Sequence, residues 1–291
     1  MGTGSWTRLV HGAGALASPD WDLVAVYGRS AEKAEATATT LGCAPTTDFD
    51  ELLEQVDALV FAVPPNVQAP LALKAARAGK HLLLEKPLAL DAAQAAQLVS
   101  EITDAGVANL VFFTRMWIAP TVEWLDGLRQ HGCESGRYEQ LVRLPEEFLA
   151  ASPWRVEHGA LWDIGPHALS VLERALGPAV SVSALQGARD HVHLMFQHEG
   201  GGTSSAELSL RAPEGLNQSS FWFTGPGGVA RPEEPAQEFS PLTACAAALA
   251  ELADQARTGR RGGVDASYGL HVVQVLAAAQ ASLASGRAEA V

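Results

Sequence analysis

The sequence predicts an α/β protein in two parts. A parallel sheet covered by helices on both faces comes first, and a mostly antiparallel sheet with one covered face follows. Three observations predict this. Short apolar runs alternate with helix-length segments as far as Arg115. Period-two alternation then takes over, as in "HVHLMFQ" and "AELSLRA". Alanine-rich helical stretches close the chain. Apolar strands separated by helices make right-handed βαβ units, whereas strict alternation marks a sheet with one face on a core.

"WDLVAVYG" (Trp21–Gly28) reads as a buried strand, followed by a helix that Ser30 caps and Gly42 stops after Leu41. "DALVFAVP" (Asp57–Pro64) is a second strand, with a helix from Asn66 to Ala78 and a stop at Gly79. "HLLLEKP" (His81–Pro87) is a third, and Asp91 caps the next helix, which ends at Gly106. "ANLVFFTR" (Ala108–Arg115) is a fourth. Further on, a helix is expected over Ala160–Leu176, ended by Gly177-Pro178. In "HVHLMFQ", Val192, Leu194 and Phe196 share one face; in "AELSLRA", Ala206, Leu208 and Leu210 do. "EGGG" (Glu199–Gly202) joins these two strands as a hairpin loop, and "SFWFTG" adds another strand. Residues 230–240, with two prolines and several acids, read as a solvated loop, and helices are expected over Thr243–Arg257 and Ala266–Ser285.

With 47% hydrophobic and 18% charged residues, the 291-residue chain has the composition of a globular protein of up to two domains. Its 33 acidic against 20 basic residues give a net charge of -13. No basic run is present to neutralise a phosphate backbone, so nucleic acid is excluded as a partner. No apolar run reaches bilayer length, and membrane partners are not expected. Cys43, Cys133 and Cys245 lack any CxxC spacing and read as free thiols of a reducing cytoplasm.

The chain opens "MGTGSW". Gly2-Thr3-Gly4 has the form of a dinucleotide-binding turn: glycines allow a tight turn and a close backbone approach, and a helix from Ser5 to Ala17 offers anion-binding N–H groups. On its own, such a glycine pair is a weak signal. Thr7 stands at the third small position, so looser helix–sheet packing is expected there. A dinucleotide fold places its first strand before the turn, centrally between the strands headed by Trp21 and Asp57, and this sequence has none. Several more apolar residues before Gly2 are therefore expected in the natural protein, the alternative being a true deletion that disables cofactor binding.

Two blocks together carry a family resemblance: "EKP" at Glu85–Pro87 and "DIGPH" at Asp163–His167. With "AVPPNVQAPLALKAARAGKHLLLEKPLAL" (Ala62–Leu90), "FFTRMWIAP" and "WRVEHGALWDIGPHALS" (Trp154–Ser170), the chain resembles the Gfo/Idh/MocA oxidoreductases nearly end to end. The resemblance implies a Rossmann-type doubly wound sheet over residues 1–116. It also implies an α/β domain with an open, mostly antiparallel sheet over 117–291, which serves substrate binding and oligomer contact as a homodimer or homotetramer. It implies hydride transfer between a nicotinamide cofactor and a hydroxyl or carbonyl carbon of a small-molecule substrate such as a sugar, cyclitol or polyol. Gln68 departs from the histidine common in the family.

The expected cofactor residues are Gly2, Gly4, Ser5, Trp6, Arg29, Ser30, Lys33, Pro64, Gln68, Glu85 and Lys86. Position 28, where an NAD enzyme carries an acid for the ribose hydroxyl, holds glycine, followed by Arg29, Ser30 and, a turn later, Lys33. An arginine can grip a 2′-phosphate through paired donors, which favours NADP and leaves NAD possible. A solvated Arg29 that merely starts a helix is the plainer alternative.

Lys86, at the end of a parallel strand, can stabilise a developing oxyanion, although a lone lysine there is more often solvated. The resemblance implies the catalytic role and a cis Lys86–Pro87 bond. Asp163 and His167 lie four apart and share a helix face. Histidine suits proton transfer near neutral pH, but an acid near a helix N-terminus beside an unrelated histidine is an equal reading of the pair alone. The resemblance implies His167 as the acid/base, Asp163 as its helper and Lys86 polarising the same oxygen. Pro166 requires that it lie in the first turn of its helix. The resemblance implies Arg115, Trp154 and Arg155 at the substrate, with domain pinning as the alternative for Arg115 and packing the plainer reading of Trp117 and Trp154. His191 and His193 share a strand face, but no third ligand is evident and no metal is expected. The rival reading is a non-catalytic nucleotide-binding or regulatory homologue on the same fold.

Overall fold

The structure is a computed structural model that describes residues 1–232 and 240–291. The loop expected over 230–240 therefore lies, from 233 to 239, outside the described residues.

The chain forms two compact units. The first comprises Met1–Ile118 and Ser240–Leu270, the second Ala119–Phe239 and His271–Val291. The expected change near residue 116 is present, but the expected continuous second part is not, because the segment from Ser240 returns to the first unit. The reason is the apolar face of one helix. Ala244, Cys245, Ala248, Leu249 and Leu252 recur at helical spacing and close a core with Leu83, Leu110 and Phe112 of the first unit.

In the first unit, a π-helical turn (Thr7–His11) leads into α1 (Gly12–Ala17). Then come β1 (Ala25–Tyr27), α2 (Ala31–Leu41), β2 (Ala44–Thr46), α3 (Phe49–Gln55), β3 (Ala58–Val60), α4 (Pro65–Arg77), β4 (His81–Leu84), α5 (Ala92–Ala105) and β5 (Asn109–Val111). The expected caps are in place. The Ser30 and Asp91 side chains accept from backbone N–H groups of the first helical turn, and Gly42 and Gly106 end their helices in the left-handed conformation. The strands are shorter than the apolar runs that announced them.

β3, β4 and β5 pair in parallel, and β1 pairs in parallel with β2. β1 and β3 are not joined to each other as strands. Residues 1 and 2 link them: the Met1 nitrogen donates to Val60 O (2.9 Å), Ala62 N to Met1 O (3.0 Å) and Gly2 N to Tyr27 O (3.0 Å). The rest of the gap is a cavity of about 350 Å³ lined by Val26, Leu41, Leu52, Leu59 and Val60. It lies where the sequence lacks a strand.

In the second unit, α6 (Ala119–Gln130), β6 (Ser135–Leu141), α7 (Glu146–Ala150) and α8 (Pro153–Leu176) precede β7 (Ala179–Gln186), β8 (Val192–His198), β9 (Thr203–Ser209), β10 (Gln218–Gly225) and β11 (Gly228–Ala230). α9 (Pro241–Thr258) belongs to the first unit; α10 (Ala266–Ser285) is divided after Leu270, and β12 (Glu289–Ala290) ends the chain. The strands form one sheet in the order β11-β10-β6-β9-β8-β7-β12, antiparallel except for β6 and β9. As expected, Val192, Leu194 and Phe196 point into the core with Ala206, Leu208 and Leu210. β8 and β9 form the predicted hairpin.

α8 contains a break at Gly159 (φ 62°, ψ -161°), so it consists of two helical stretches. Pro166 sits well inside the second stretch, not in its first turn as expected, and the helix there lacks the N–H that would reach Trp162 O. A Cβ on Gly165 would come 2.7 Å from Leu276 Cδ2, so this glycine lets α10 lie close against α8.

The C-terminal end of α8 carries a charged pair with a pH signature. His271 Nε2 donates to the buried Glu173 carboxylate (2.8 Å), which also accepts from Ala179 N (2.9 Å). The hydrogen bond to Glu173 raises the His271 pKa and outweighs the opposing effect of burial. The bond therefore stabilises the fold fully below the unfolded imidazole value and is lost as pH rises through the raised folded value. Urea unfolding should show wild type exceeding His271→Gln by more at about pH 5.5 than at about pH 8.5. His198, whose pKa burial lowers, has the opposite sign but is common to both proteins. An equal difference at both pH values would contradict the assignment.

Candidate functional site

In the first unit the site is built around the exit of β4. Lys86 follows Glu85 there, and the Lys86–Pro87 bond is cis. The backbone is held by Gln68, which is fully buried on α4. Its Oε1 accepts from Glu85 N (2.7 Å), and its Nε2 donates to Glu85 O (2.7 Å), with Leu88 O and Pro87 O at 3.3 and 3.4 Å. Gln68 was expected against the cofactor. Its amide is instead spent on the polypeptide, and it acts as a clamp. Pro64 precedes α4, and its carbonyl accepts from Gln68 N (2.9 Å), which seats the clamp.

The Glu85 side chain turns back to the glycine turn. Its Oε1 accepts from Trp6 Nε1 and from His11 Nε2, both at 2.7 Å, and its Oε2 from Lys86 N at 3.2 Å. With Nε2 donating, His11 Nδ1 is left to accept, and it faces Cys245 Sγ at 3.5 Å. Burial, then the Glu85 charge, pushes the Cys245 thiol up to about 12, so it stays protonated and can donate. Neither His11 nor Cys245 was expected in the site. His11 lies four residues after Thr7 on the helix that follows the turn, and that spacing was the available signal; Cys245 is too distant in sequence to have given one.

The glycine turn fits a dinucleotide. Gly2 has φ 102°, and a Cβ there would collide with the Ala62 carbonyl oxygen. Gly4 has open space where a Cβ would be. The helix begins at Ser5, so the Ser5, Trp6 and Thr7 N–H groups lack helical partners. These backbone groups, with Gly2 and Gly4, form a cradle suited to a pyrophosphate. Thr7, where looser packing was expected, is buried and lines the cavity described above. The close approaches fall at Gly12, where a Cβ would meet Leu41 Cδ1 at 2.5 Å, and at Gly14, where it would meet Cys245 Sγ at 2.8 Å. Arg29 and Lys33 are exposed just past β1, and Ser30 is occupied as a helix cap. Arg115 stands on a 3₁₀ turn (Thr114–Trp117), and Trp117 Nε1 donates to Val111 O (3.4 Å), a packing role as expected.

In the second unit, Asp163 and His167 follow the Gly159 break on one face of α8. Arg155 Nε donates to Asp163 Oδ2 at 2.9 Å, and Arg155 Nη1 to Ser152 Oγ at 3.1 Å. The guanidinium also lies 4.5 Å from the Trp154 ring centroid and 5.1 Å from that of Phe148. Arg155 and Trp154 were expected at the substrate. Arg155 is turned onto Asp163, and Trp154 is buried against the Arg155 guanidinium. His167 is partly exposed, and its carbonyl accepts from Ser170 Oγ (2.9 Å).

Replacing Gln68 with leucine should leave Glu85 N and O without their side-chain partner. The expected cost is about 1–3 kcal/mol per orphaned group, read as a fall in Tm. An unchanged Tm would show that the clamp is dispensable.

Comparison with known proteins agrees with both halves of the chain. Residues 1–113 match a family model described as the oxidoreductase family with an NAD-binding Rossmann fold, and residues 136–231 match the GFO/IDH/MocA C-terminal domain. A dTDP-3,4-didehydro-2,6-dideoxy-alpha-D-glucose 3-reductase of Streptomyces violaceoruber is 45% identical over 93 residues, 31% of this chain and 27% of that protein. An inositol 2-dehydrogenase of Rhizobium meliloti is 35% identical over 107 residues, 36% of this chain and 32% of that one. The matched segments thus span less than a third of either relative. The crystal structure of the WlbA dehydrogenase of Bordetella pertussis with NADH and UDP-GlcNAcA superposes with a TM-score of 0.85 at 20% identity, covering 100% of this chain and 96% of that one, a likeness of fold. Matched in both its N-terminal and C-terminal parts, the chain belongs to the Gfo/Idh/MocA oxidoreductase family.

Proposed function

We propose that the protein is an NAD(P)-dependent oxidoreductase acting on a hydroxyl or carbonyl carbon of a sugar, cyclitol or related polyol. The observation that carries this reading is the Arg155–Asp163 pair with His167 one turn further on, in a chain whose other unit presents a dinucleotide cradle and Lys86. The sugar reductase and inositol dehydrogenase among the relatives support the substrate class.

The nicotinamide supplies or accepts the hydride when bound. Gly2, Gly4, Ser5 and Trp6 would hold the pyrophosphate. In the oxidative direction His167 takes the hydroxyl proton, and Asp163 supplies a fixed negative charge beside the imidazolium that forms. Lys86 stabilises the negative charge on the substrate oxygen. Lys86→Met and His167→Ala should each lower turnover on a polyol panel by about a hundredfold or more, with the melting curve and cofactor binding kept. Unchanged rates in both would remove the assignment. Cofactor binding with no turnover on any substrate would favour the regulatory reading.

NADP is the proposed preference. The end of β1 carries Gly28 and not the acid that would repel a 2′-phosphate, and the exposed Arg29 and Lys33 are placed to attract one. Fluorescence titration should give tighter NADPH than NADH binding, with the difference reduced in Arg29→Ala. Tighter NADH binding would overturn this use of Arg29.

The three free cysteines support a reducing cytoplasm. Among the described residues, no helix is long and apolar enough to cross a membrane. A homodimer or homotetramer through the open sheet is supported by Leu185, Met195 and Val229, which are 70%, 67% and 61% exposed on its outer face.

A further inference from the structure

We propose that His191, His193 and Glu207 form a binding site for a zinc-like divalent transition metal on the outer face of the second unit's sheet. His191 and His193 flank Val192, which is buried, so both imidazoles stand on the opposite face. The β8–β9 register puts Glu207 directly across from His193. This supplies the third ligand that the sequence alone does not reveal, because fourteen residues and a hairpin separate the two. One ligand atom from each of the three residues lies within 4.8 Å of the others.

The local geometry is close to what a metal needs. His191 Nε2 and Glu207 Oε1 are 2.9 Å apart. Two tetrahedral ligands at zinc distances stand about 3.3 Å apart, so a small side-chain opening admits the ion. The His191 and His193 rings lie nearly parallel, with centroids 4.6 Å apart and planes 23° from each other. Glu207 is already oriented: Arg137 Nη2 holds its Oε2 at 3.2 Å and leaves Oε1 to His191. The carbonyl of His191 is fixed by Gln186 Nε2 at 2.9 Å. Such outer partners set the direction of a ligand. The strands carrying the site are paired on both sides, β8 with β7 and β9, and β9 with β6, so the backbone spacing is set before any ion arrives.

The donor set selects the ion. Two imidazole nitrogens and one carboxylate suit zinc, nickel or copper(II), whereas calcium and magnesium prefer all-oxygen shells. Three protein ligands leave a fourth position for water. The chain's net charge of -13 favours a cation at this surface.

Titration calorimetry of the untagged full chain with Zn²⁺ should show one equivalent bound, with a matching rise in Tm. Both should be lost in His193→Ala and in Glu207→Gln and kept in His131→Ala, which removes an exposed histidine outside the cluster. His193 is exposed, so its variant should fold as wild type does, verified by circular dichroism. Co²⁺ should give the visible absorption of a site of low coordination number in wild type but not in His193→Ala. No Zn²⁺ binding by wild type, or the same stoichiometry in His193→Ala, would overturn the proposal. The readouts need neither nicotinamide nor substrate, so they stand or fall apart from the proposed oxidoreductase activity.

Discussion

The hydrogen bonds of Gln68 to the chain leaving β4 are the constraint on which the first unit's site depends. A fully buried amide that both accepts from Glu85 N and donates to Glu85 O pairs with this residue much as a neighbouring strand would. The parallel ladder ends at Leu84, so without Gln68 these polar groups would be left unpaired as the backbone leaves the sheet. With the backbone held, the Glu85 carboxylate is placed to accept from Trp6 and His11. One clamp therefore fixes both Lys86 and the start of the helix after the glycine turn.

The parts of the fold that were legible in sequence are those written locally. Ser30, Asp91, Gly42 and Gly106 mark helix ends through their own side chains or their lack of one. The alternation in β8 shows because every second residue faces one core. β6 was not legible: "SGRYEQL" buries only Gly136 and Tyr138, and Gly136 adds no apolar side chain to reveal the period. α3 was hidden although Asp48 caps it with two hydrogen bonds, because it is a single short amphipathic turn pair between strands. The return of α9 to the first unit was illegible for another reason. Its apolar face is visible in the sequence, but nothing local says which core that face will meet.

The site divides in the same way. Lys86, Asp163 and His167 were found as motif residues, yet the jobs of their neighbours came only from contacts. Arg155 and Trp154 were placed at the substrate by the family resemblance alone. In the fold, Arg155 stacks on Trp154 and Phe148 and spends its charge on Asp163. Glu207 was silent for the same reason as α9, since strand register and not spacing makes it a neighbour of His193.

The Arg155–Asp163 pair also bears on how the proposed chemistry is shared out. A carboxylate whose Oδ2 is held by a guanidinium at 2.9 Å has one oxygen committed, so it serves as a fixed charge better than as a mobile base. His167 stands one helical turn from Asp163 on the same face. The Gly159 break matters here because it lets the Trp154–Arg155 stretch and the Asp163–His167 stretch take different backbone directions within what is otherwise one helix. In an unbroken helix, Arg155 and Asp163 would be two turns apart along one rod, roughly 12 Å between their backbones at a 1.5 Å rise per residue. The glycine thus converts a linear spacing into a folded one, and the Arg155–Asp163 ion pair goes with that single change in backbone direction.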